Sequence, residues 1–135
     1  MPLLTTLFEN VTLEGAGECR LFPNWHGLDV RNYDRLHFHL GALPSKSAQS
    51  LTGIKIRVIF GTPVGDNLFM LAGSNVWFEG TGAERKFEYT VTDAHETGIT
   101  LSVPVVAPTL FDVILENTGP SRHERLYLSV MSQEI

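Results

Sequence analysis

The sequence lacks several features that would assign the protein to common classes. Cysteine occurs once, at Cys19, so no intrachain disulfide can form, which favours a reducing compartment or a bacterial source. No apolar run approaches the 18 residues that a membrane span requires. The first ten residues also lack the basic segment and apolar run of a signal peptide. We therefore expect a soluble protein that has no membrane partner.

Positive charge is also scarce. The 135 residues include 10 lysines and arginines against 15 aspartates and glutamates, which gives a formal net charge of -5. Proteins that bind nucleic acid generally present a basic stripe or patch to the phosphates. The basic residues of this chain are scattered, so we expect no nucleic-acid partner.

Helical periodicity and catalytic motifs are missing as well. No segment keeps an apolar period of 3.6 residues over the length of a helix. The sequence contains no nucleophile elbow, phosphate-binding loop or zinc-protease motif, and Cys19 has no neighbouring histidine to activate its thiol. We therefore expect that the protein is not an enzyme. One alternative stays open: two of the carboxylates could form a hydrolase pair, because the distance between them cannot be read from the sequence.

What the sequence has is alternation of apolar and polar residues with period two. In the segment 33–40 three apolar residues alternate with three basic or imidazole-bearing ones: Leu36, Phe38 and Leu40 with Arg35, His37 and His39. Successive strand side chains point to opposite faces, so this pattern predicts a strand with one core face and one polar face. A one-residue slip would bury both histidines, so we expect its register to be firm.

Similar segments recur along the chain, separated by clusters of glycine, proline, asparagine and aspartate. We expect eight to ten strands, among them 53–61, 85–92, 99–103, 109–117 and 123–132, and a turn over 62–67. Pro104 and Pro108 favour an edge or corner position for the strand that they end. This spacing of turns is typical of sandwiches and barrels. At this length it predicts an all-β antiparallel jelly-roll β-sandwich that forms a single domain over 1–135.

Two stretches resemble galactose-binding-domain-like β-sandwiches, a group that includes discoidin-type domains and several carbohydrate-binding modules. The first is Tyr33-Asp34-Arg35-Leu36 at the start of a strand. The second is Val103-Pro104-Val105-Val106-Ala107-Pro108, followed by an alternating strand that ends in Asn117-Thr118-Gly119 and by a last alternating strand over 126–130. The resemblance implies two packed antiparallel sheets and, frequently, non-catalytic glycan binding through loops at one end. It brings no ligand-contact motif, so it gives no residue a role.

His37 and His39 are the side chains of the predicted strand 33–40 that are best suited to binding a metal ion. Two histidines at this spacing share one face about 6.6 to 7 Å apart, as they do in the metal sites of cupin-type barrels. Cupins add a glutamate and a second glycine-bounded histidine motif, which the sequence lacks, and a catalytic metal needs three or more protein ligands. We therefore favour solvent-facing imidazoles and rank a cupin-like metal enzyme last.

Alternation also predicts a polar surface on the outward face of the sheets. Its members are Arg35, His37, His39, Lys55, Arg57, Asp112, Glu116, Arg125 and Tyr127. Such a surface is most simply a solvated face with cross-strand ion pairs. Alternatively, it is a platform rich in hydrogen-bonding groups that can hold a sugar or a partner subunit.

Aromatic residues in loops are further candidates. Sugar sites commonly combine a flat aromatic side chain with polar donors and acceptors. Trp25 lies among turn-forming residues, whereas the alternation around Trp77 also fits a core position. We expect the loop residues Trp25, His26, Arg31 and Trp77 to contact a ligand, followed by His37, His39 and Arg57 on the polar sheet face.

The sequence therefore favours a non-catalytic binding module whose ligand is a carbohydrate or another small polar molecule. The alternative is a structural or assembly protein that forms a homo-oligomer through a sheet face or an exposed edge. No cofactor is expected. A structural Ca²⁺ is the one exception we keep open, because acidic residues near strand ends could hold it: Asp29, Asp34, Asp66, Glu79, Asp112 and Glu116.

Overall fold

Ten β-strands make up the described part of the chain, which contains no helix and hence none that could cross a membrane. The structure is a computed structural model that describes residues 4–21, 27–42, 50–64, 67–70, 88–92 and 97–134. In chain order the strands are β1 (Leu4–Leu13), β2 (Glu18–Arg20), β3 (Leu28–Asp29), β4 (Tyr33–Ala42), β5 (Ile54–Val64), β6 (Asn67–Met70), β7 (Glu88–Thr90), β8 (Gly98–Pro104), β9 (Thr109–Asn117) and β10 (His123–Glu134).

The strands form two antiparallel sheets. Sheet A has the order β1-β10-β4-β8. Sheet B has β9 and β5 at its centre, with β2 and β3 paired to β9 and with β6 and β7 paired to β5. The predicted all-β jelly-roll sandwich is confirmed, and the single domain over 1–135 stays a prediction.

The core lies between the two sheets, and β4 shows how the sequence builds it. Leu36 and Phe38 are fully buried and Leu40 nearly so, while His37 and His39 lie on the opposite face of the strand. Each such apolar side chain contributes about 1.5–3 kcal/mol through burial. The predicted faces of this strand are therefore confirmed.

The two edges of sheet A differ in regularity. β1 pairs with β10 through three register shifts. In one of them Phe8 pairs with Leu128 and Val11 with Leu126, so two residues of β1 lie opposite Tyr127 alone, as in a β-bulge. β8, by contrast, pairs with β4 from Arg35↔Pro104 to Gly41↔Gly98 without a shift. Within the described residues β4 is its only partner, so the predicted edge position is confirmed.

The turn predicted over 62–67 is wrong in its extent. β5 continues to Val64, and β6 begins at Asn67, which pairs with Val64. Pro63 lies in this pairing, opposite Leu68. Pairing with β6 holds this part of β5 extended, and a proline is tolerated near the end of a strand.

Candidate functional site

The outward surface of sheet A is a continuous surface of mostly polar side chains, with Leu4 and Met131 as its exposed apolar members. We call it the hydroxyl face. Its members are Leu4, Thr6, Arg35, His37, His39, Thr100, Ser102, Tyr127, Ser129, Met131 and Gln133. The register aligns them in rows that cross the strands, so that residues far apart in sequence become neighbours. Thr6, Ser129, His39 and Thr100 form one such row.

His37 connects three strands of this face. Its Nδ1 lies 2.6 Å from Ser102 Oγ on β8, and its Nε2 lies 3.0 Å from Gln133 Oε1 on β10. An amide oxygen only accepts hydrogen bonds, so this arrangement requires the proton on Nε2 when the ring is neutral, with Ser102 donating to Nδ1. Both nitrogens are thereby engaged, and the ring is held in place.

His39 is held on one side only. Its Nδ1 lies 3.0 Å from Thr100 Oγ1. No other hydrogen-bond partner for the imidazole occurs among the residues that the structure describes, so Nε2 is available to a ligand. Ser129 lies directly opposite His39 on β10 and places a second hydroxyl beside the ring.

A shallow depression adjoins this row, and we call it the glycine depression. Its floor is the backbone of Gly41 and Gly98, which pair with each other, and its wall on β10 is Tyr127, which pairs with Gly41. A Cβ added at Gly41 would meet nothing within 4 Å, and one added at Gly98 would meet only a backbone oxygen at 3.7 Å. Tyr127 therefore does not cover Gly41. Neighbouring strands are about 5 Å apart and alternate residues about 7 Å, so the open floor has about the size of one six-membered ring.

The bulge of β1 adds polar groups on the other side of Tyr127. Glu9 and Asn10 are both exposed and both lie opposite it, and Asn10 has a φ of 52°. Asparagine tolerates this left-handed conformation better than most residues. Bulges are frequent beside functional sites because they redirect side chains. The depression itself is bordered by an aromatic ring, an imidazole and hydroxyl groups, and the amide and carboxylate of the bulge lie beyond Tyr127.

The described residues contain no cluster of three histidine, cysteine, aspartate or glutamate side chains that could hold a metal ion. Asp112 is ion-paired with Arg20 at 2.6 Å, and Asp29 with Arg31 at 2.6 Å. Two of the acidic residues considered for Ca²⁺ are therefore engaged by arginine. The Ca²⁺ site itself stays a prediction.

Among the predicted loop contacts, only Arg31 lies in the described part of the chain. Its guanidinium and its backbone N–H both donate to Asp29 in a tight, exposed turn. The Arg31 hydrogen bonds lower the pKa of the Asp29 carboxyl below its usual value of 3.8. Trp25, His26 and Trp77 lie outside the described residues, and their roles stay predictions.

The single polar surface predicted from alternation is wrong, because the register divides its members between two sheets. His37 and His39 belong to sheet A, whereas Arg57 lies on the outward face of sheet B, ion-paired with Glu88 at 3.1 Å. Lys55 joins the same carboxylate at 3.4 Å. Alternation determines which residues share a face of one strand, but it does not determine which sheet the strand joins.

Asp112 was also predicted as an outward, solvated residue, and this is wrong. Its side chain is fully buried. Ile59, which pairs with it across the strands, and Ile114, two residues further along β9, are buried as well. The outward face of sheet B is therefore covered at this point, and Arg20 and the Leu21 N–H supply the donors that the carboxylate needs.

The glycine depression is the feature that sequence reasoning missed. A glycine inside an alternating strand is a signal for an open or closely approached backbone, and Gly41 gave that signal in β4. Its pairing with Tyr127 and Gly98 could not be read from the sequence, since these residues lie on three different strands.

No protein-family model matches the sequence, and no curated protein matches it either. Similar solved structures include a low-affinity xylan binding module, CBM86, from the gut symbiont Roseburia intestinalis, at 10% identity over 100% of this chain and 96% of that chain, with a TM-score of 0.49. Another is the empty capsid of Triatoma virus, at 13% identity over 98% of this chain and 87% of that chain, with a TM-score of 0.50. At such identities the likeness concerns the fold alone. The resemblance to galactose-binding-domain-like sandwiches is therefore one of β-sandwich architecture alone.

Proposed function

We propose that the chain is a non-catalytic carbohydrate-binding module and that the glycine depression of the hydroxyl face receives a sugar ring. The observation that carries the proposal is the open space above Gly41, beside Tyr127 and the available Nε2 of His39. A six-membered ring placed there would lie on backbone, against an aromatic side chain, and within a border of hydrogen-bonding groups.

The chemistry of the border suits a sugar better than a charged ligand. Sugar C–H groups pack on aromatic faces such as that of Tyr127. Sugar hydroxyls both donate and accept, as do imidazole and the Ser129 hydroxyl. Arg35 is the one permanently charged side chain among the members of the hydroxyl face, and it already donates to the Ser102 carbonyl at 3.4 Å. A neutral, polyhydroxylated ligand therefore fits the face.

The site is shallow, so the affinity should be low. Tight small-molecule sites enclose most of the ligand surface, whereas this depression has a floor and a partial border. We expect a dissociation constant of about 0.1–1 mM for one sugar unit. Trp25, His26 and Trp77, as predicted loop contacts, would extend the site if the ligand is a longer chain.

The proposal can be tested by native affinity electrophoresis in gels that contain soluble xylan, galactan, galactomannan or β-glucan, followed by calorimetry on any polysaccharide that retards the protein. The decisive variant is Gly41→Val. Its Cβ meets no atom within 4 Å and its methyl groups occupy the depression, so binding should be lost while the unfolding midpoint is kept or raised.

Two further variants test whether the loss of binding is specific to Tyr127 or follows the removal of any exposed tyrosine. Tyr127→Ala should weaken binding at least tenfold, since it removes the stacking surface. Tyr89→Ala removes an exposed tyrosine that lies on β7 of sheet B, and it should leave binding unchanged. Retardation that survives Gly41→Val and Tyr127→Ala would place the sugar elsewhere and refute this site. A panel without any binder would refute the function.

A further inference from the structure

The two edges of sheet A differ in how they are protected against pairing with another strand. Natural sheets protect an exposed edge with charges, bulges or irregular register. β1 has these devices: three register shifts, the exposed Glu9, and Asn10 in a left-handed conformation. β8 has only a proline at its end, Pro104, since its register is regular and no charged residue occurs from Gly98 to Pro104.

The groups of β8 that face away from β4 can be assigned residue by residue. Val105 N donates to Asp34 O at 3.0 Å, and these two residues lie opposite each other in the continued register of β4 and β8. Hydrogen-bonded and non-hydrogen-bonded pairs alternate in an antiparallel ladder. Val103, Leu101 and Ile99 therefore bond to β4. Gly98, Thr100 and Ser102 direct their N–H and C=O groups away from it.

The Arg35 side chain donates to the Ser102 carbonyl at 3.4 Å, but no strand pairs with these outward groups among the described residues. We propose that they pair with the same edge of a second copy of the chain, which joins two copies of sheet A into one continuous eight-stranded sheet. This proposal does not require carbohydrate binding, because it uses the backbone groups of the β8 edge, although the side chains of Thr100 and Ser102 belong to the hydroxyl face and Gly98 to the floor of the glycine depression.

The edge is complementary to itself. A two-fold axis at Thr100 pairs this residue with its copy and pairs Gly98 with Ser102 of the second chain. Each pair exchanges two hydrogen bonds, so the three pairs use every outward N–H and C=O of Gly98, Thr100 and Ser102. Such an interface is closed and symmetric, as the interfaces of most homodimers are.

The side chains agree with this register. On the inward face the axis brings Ile99 next to Leu101 of the second copy, and both are only partly buried in the single chain. A cleft of about 330 Å³ runs along the edge, lined by Tyr89, Gly98, Ile99, Thr100 and Leu101. The ring of Tyr89, 42% exposed, borders the cleft from sheet B and would cover the incoming apolar side chains. Pro104 has no N–H and ends the pairing.

The test is the molar mass of the full chain by light scattering and sedimentation velocity over a range of concentrations. We expect a species of twice 15.0 kDa. Thr100→Lys and Thr100→Glu each place two like charges at the axis, so each variant alone should lose the dimer or weaken it at least tenfold. An equimolar mixture of the two should form a mixed dimer, because the charges at the axis are then opposite.

The matched control is Thr6→Lys, which puts the same charge in the same row of the same sheet but on the opposite edge. It should remain dimeric. Circular dichroism checks that every variant is folded. A wild-type protein that stays monomeric at high micromolar concentration would overturn the proposal. So would a Thr100→Lys variant that dimerises as well as the wild type, or a charged pair that fails to recombine.

Discussion

Arg20 and Asp112, 92 positions apart in the sequence, form an ion pair of 2.6 Å in which the carboxylate is fully buried while the arginine side chain is 41% exposed. The carboxylate also accepts from Arg20 Nε at 2.9 Å and from Leu21 N at 3.0 Å. The pair therefore fixes the end of β2 to the centre of sheet B.

Removing the carboxylate should destabilise the fold. Asp112→Ala leaves Arg20 and the Leu21 N–H without their acceptor, and loss of one partner of a buried pair costs about 3–5 kcal/mol. Because Arg20 is partly solvated, we expect a loss of about 2–4 kcal/mol in the free energy of unfolding, measured by urea denaturation. Arg122→Ala is the control. Its ion pairs with Glu14 and Glu124 are exposed, so it should change stability by less than about 1 kcal/mol. Equal effects of the two substitutions would contradict the role of burial.

In the connection between β9 and β10, Asn117 should be the position at which a substitution lowers the free energy of unfolding the most. It is fully buried, and the two hydrogens of its Nδ2 serve three carbonyl oxygens, those of Leu13, Glu14 and Ser121, so that one hydrogen is shared. Its Oδ1 accepts from Gly119 N. Asn117→Ala leaves these groups unsatisfied and should cost about 2–4 kcal/mol in urea denaturation.

The amide group itself can be tested at the same position. Asn117→Asp should cost more than Asn117→Ala, because a carboxylate would face the three carbonyl oxygens. Thr118→Ala removes a single exposed hydrogen bond to Gly53 O and should cost about 1 kcal/mol. An Asp variant as stable as the wild type would show that Nδ2 is not the important donor.

The Cys19 thiol should react slowly with alkylating reagents. Burial raises its pKa from 9.0 to about 11, which a hydrogen bond from the Leu115 backbone only partly opposes. The thiolate is the reactive form, so alkylation by iodoacetamide at pH 8 should be about 100-fold slower in the folded protein than in urea. Because the folded pKa is raised, the resulting stabilisation is complete below pH 9 and declines as the pH rises towards 11. Equal alkylation rates in the two states would refute the burial effect.

Asp29 should titrate below its usual value. Its pKa is lowered from 3.8, chiefly by the side-chain hydrogen bond from Arg31. A lowered carboxyl pKa means that this contribution to stability is present above pH 3.8 and is lost as the pH falls through the folded-state pKa. An NMR titration of the Asp29 carboxyl should show the shift. Arg31→Ala should return the pKa towards 3.8, whereas Arg122→Ala should leave it lowered.

Much of the strand structure follows from the sequence, because half-buried strands impose a period of two on their residues. The strand predicted over 109–117 has the bounds found for β9 (Thr109–Asn117), and the faces of β4 are those that its alternation predicts. For the bulged strand β1, the residues that face the core are harder to predict from the sequence. Its inserted residues break the period, and Phe8 and Leu13 both face the core although they are five positions apart.

The candidate site follows from the sequence only in part. His39 is a predicted contact, and the strand alternation places it outward. Its neighbours in the site are contributed by β8 and β10, which are 61 and 90 positions away at Thr100 and Ser129. Local patterns carry no information on such pairings, since register depends on how whole strands pack and pair.

The sequence by itself determined that this protein is all-β, which residues of each strand share a face, and that His37 and His39 look outward, because alternation is a local property of the chain. Only the tertiary structure decided that Arg57 belongs to the other sheet, that Asp112 is buried against Arg20, and that Gly41 and Gly98 open a depression beside Tyr127. These are properties of strand order and register, which arise from contacts between residues far apart in the chain.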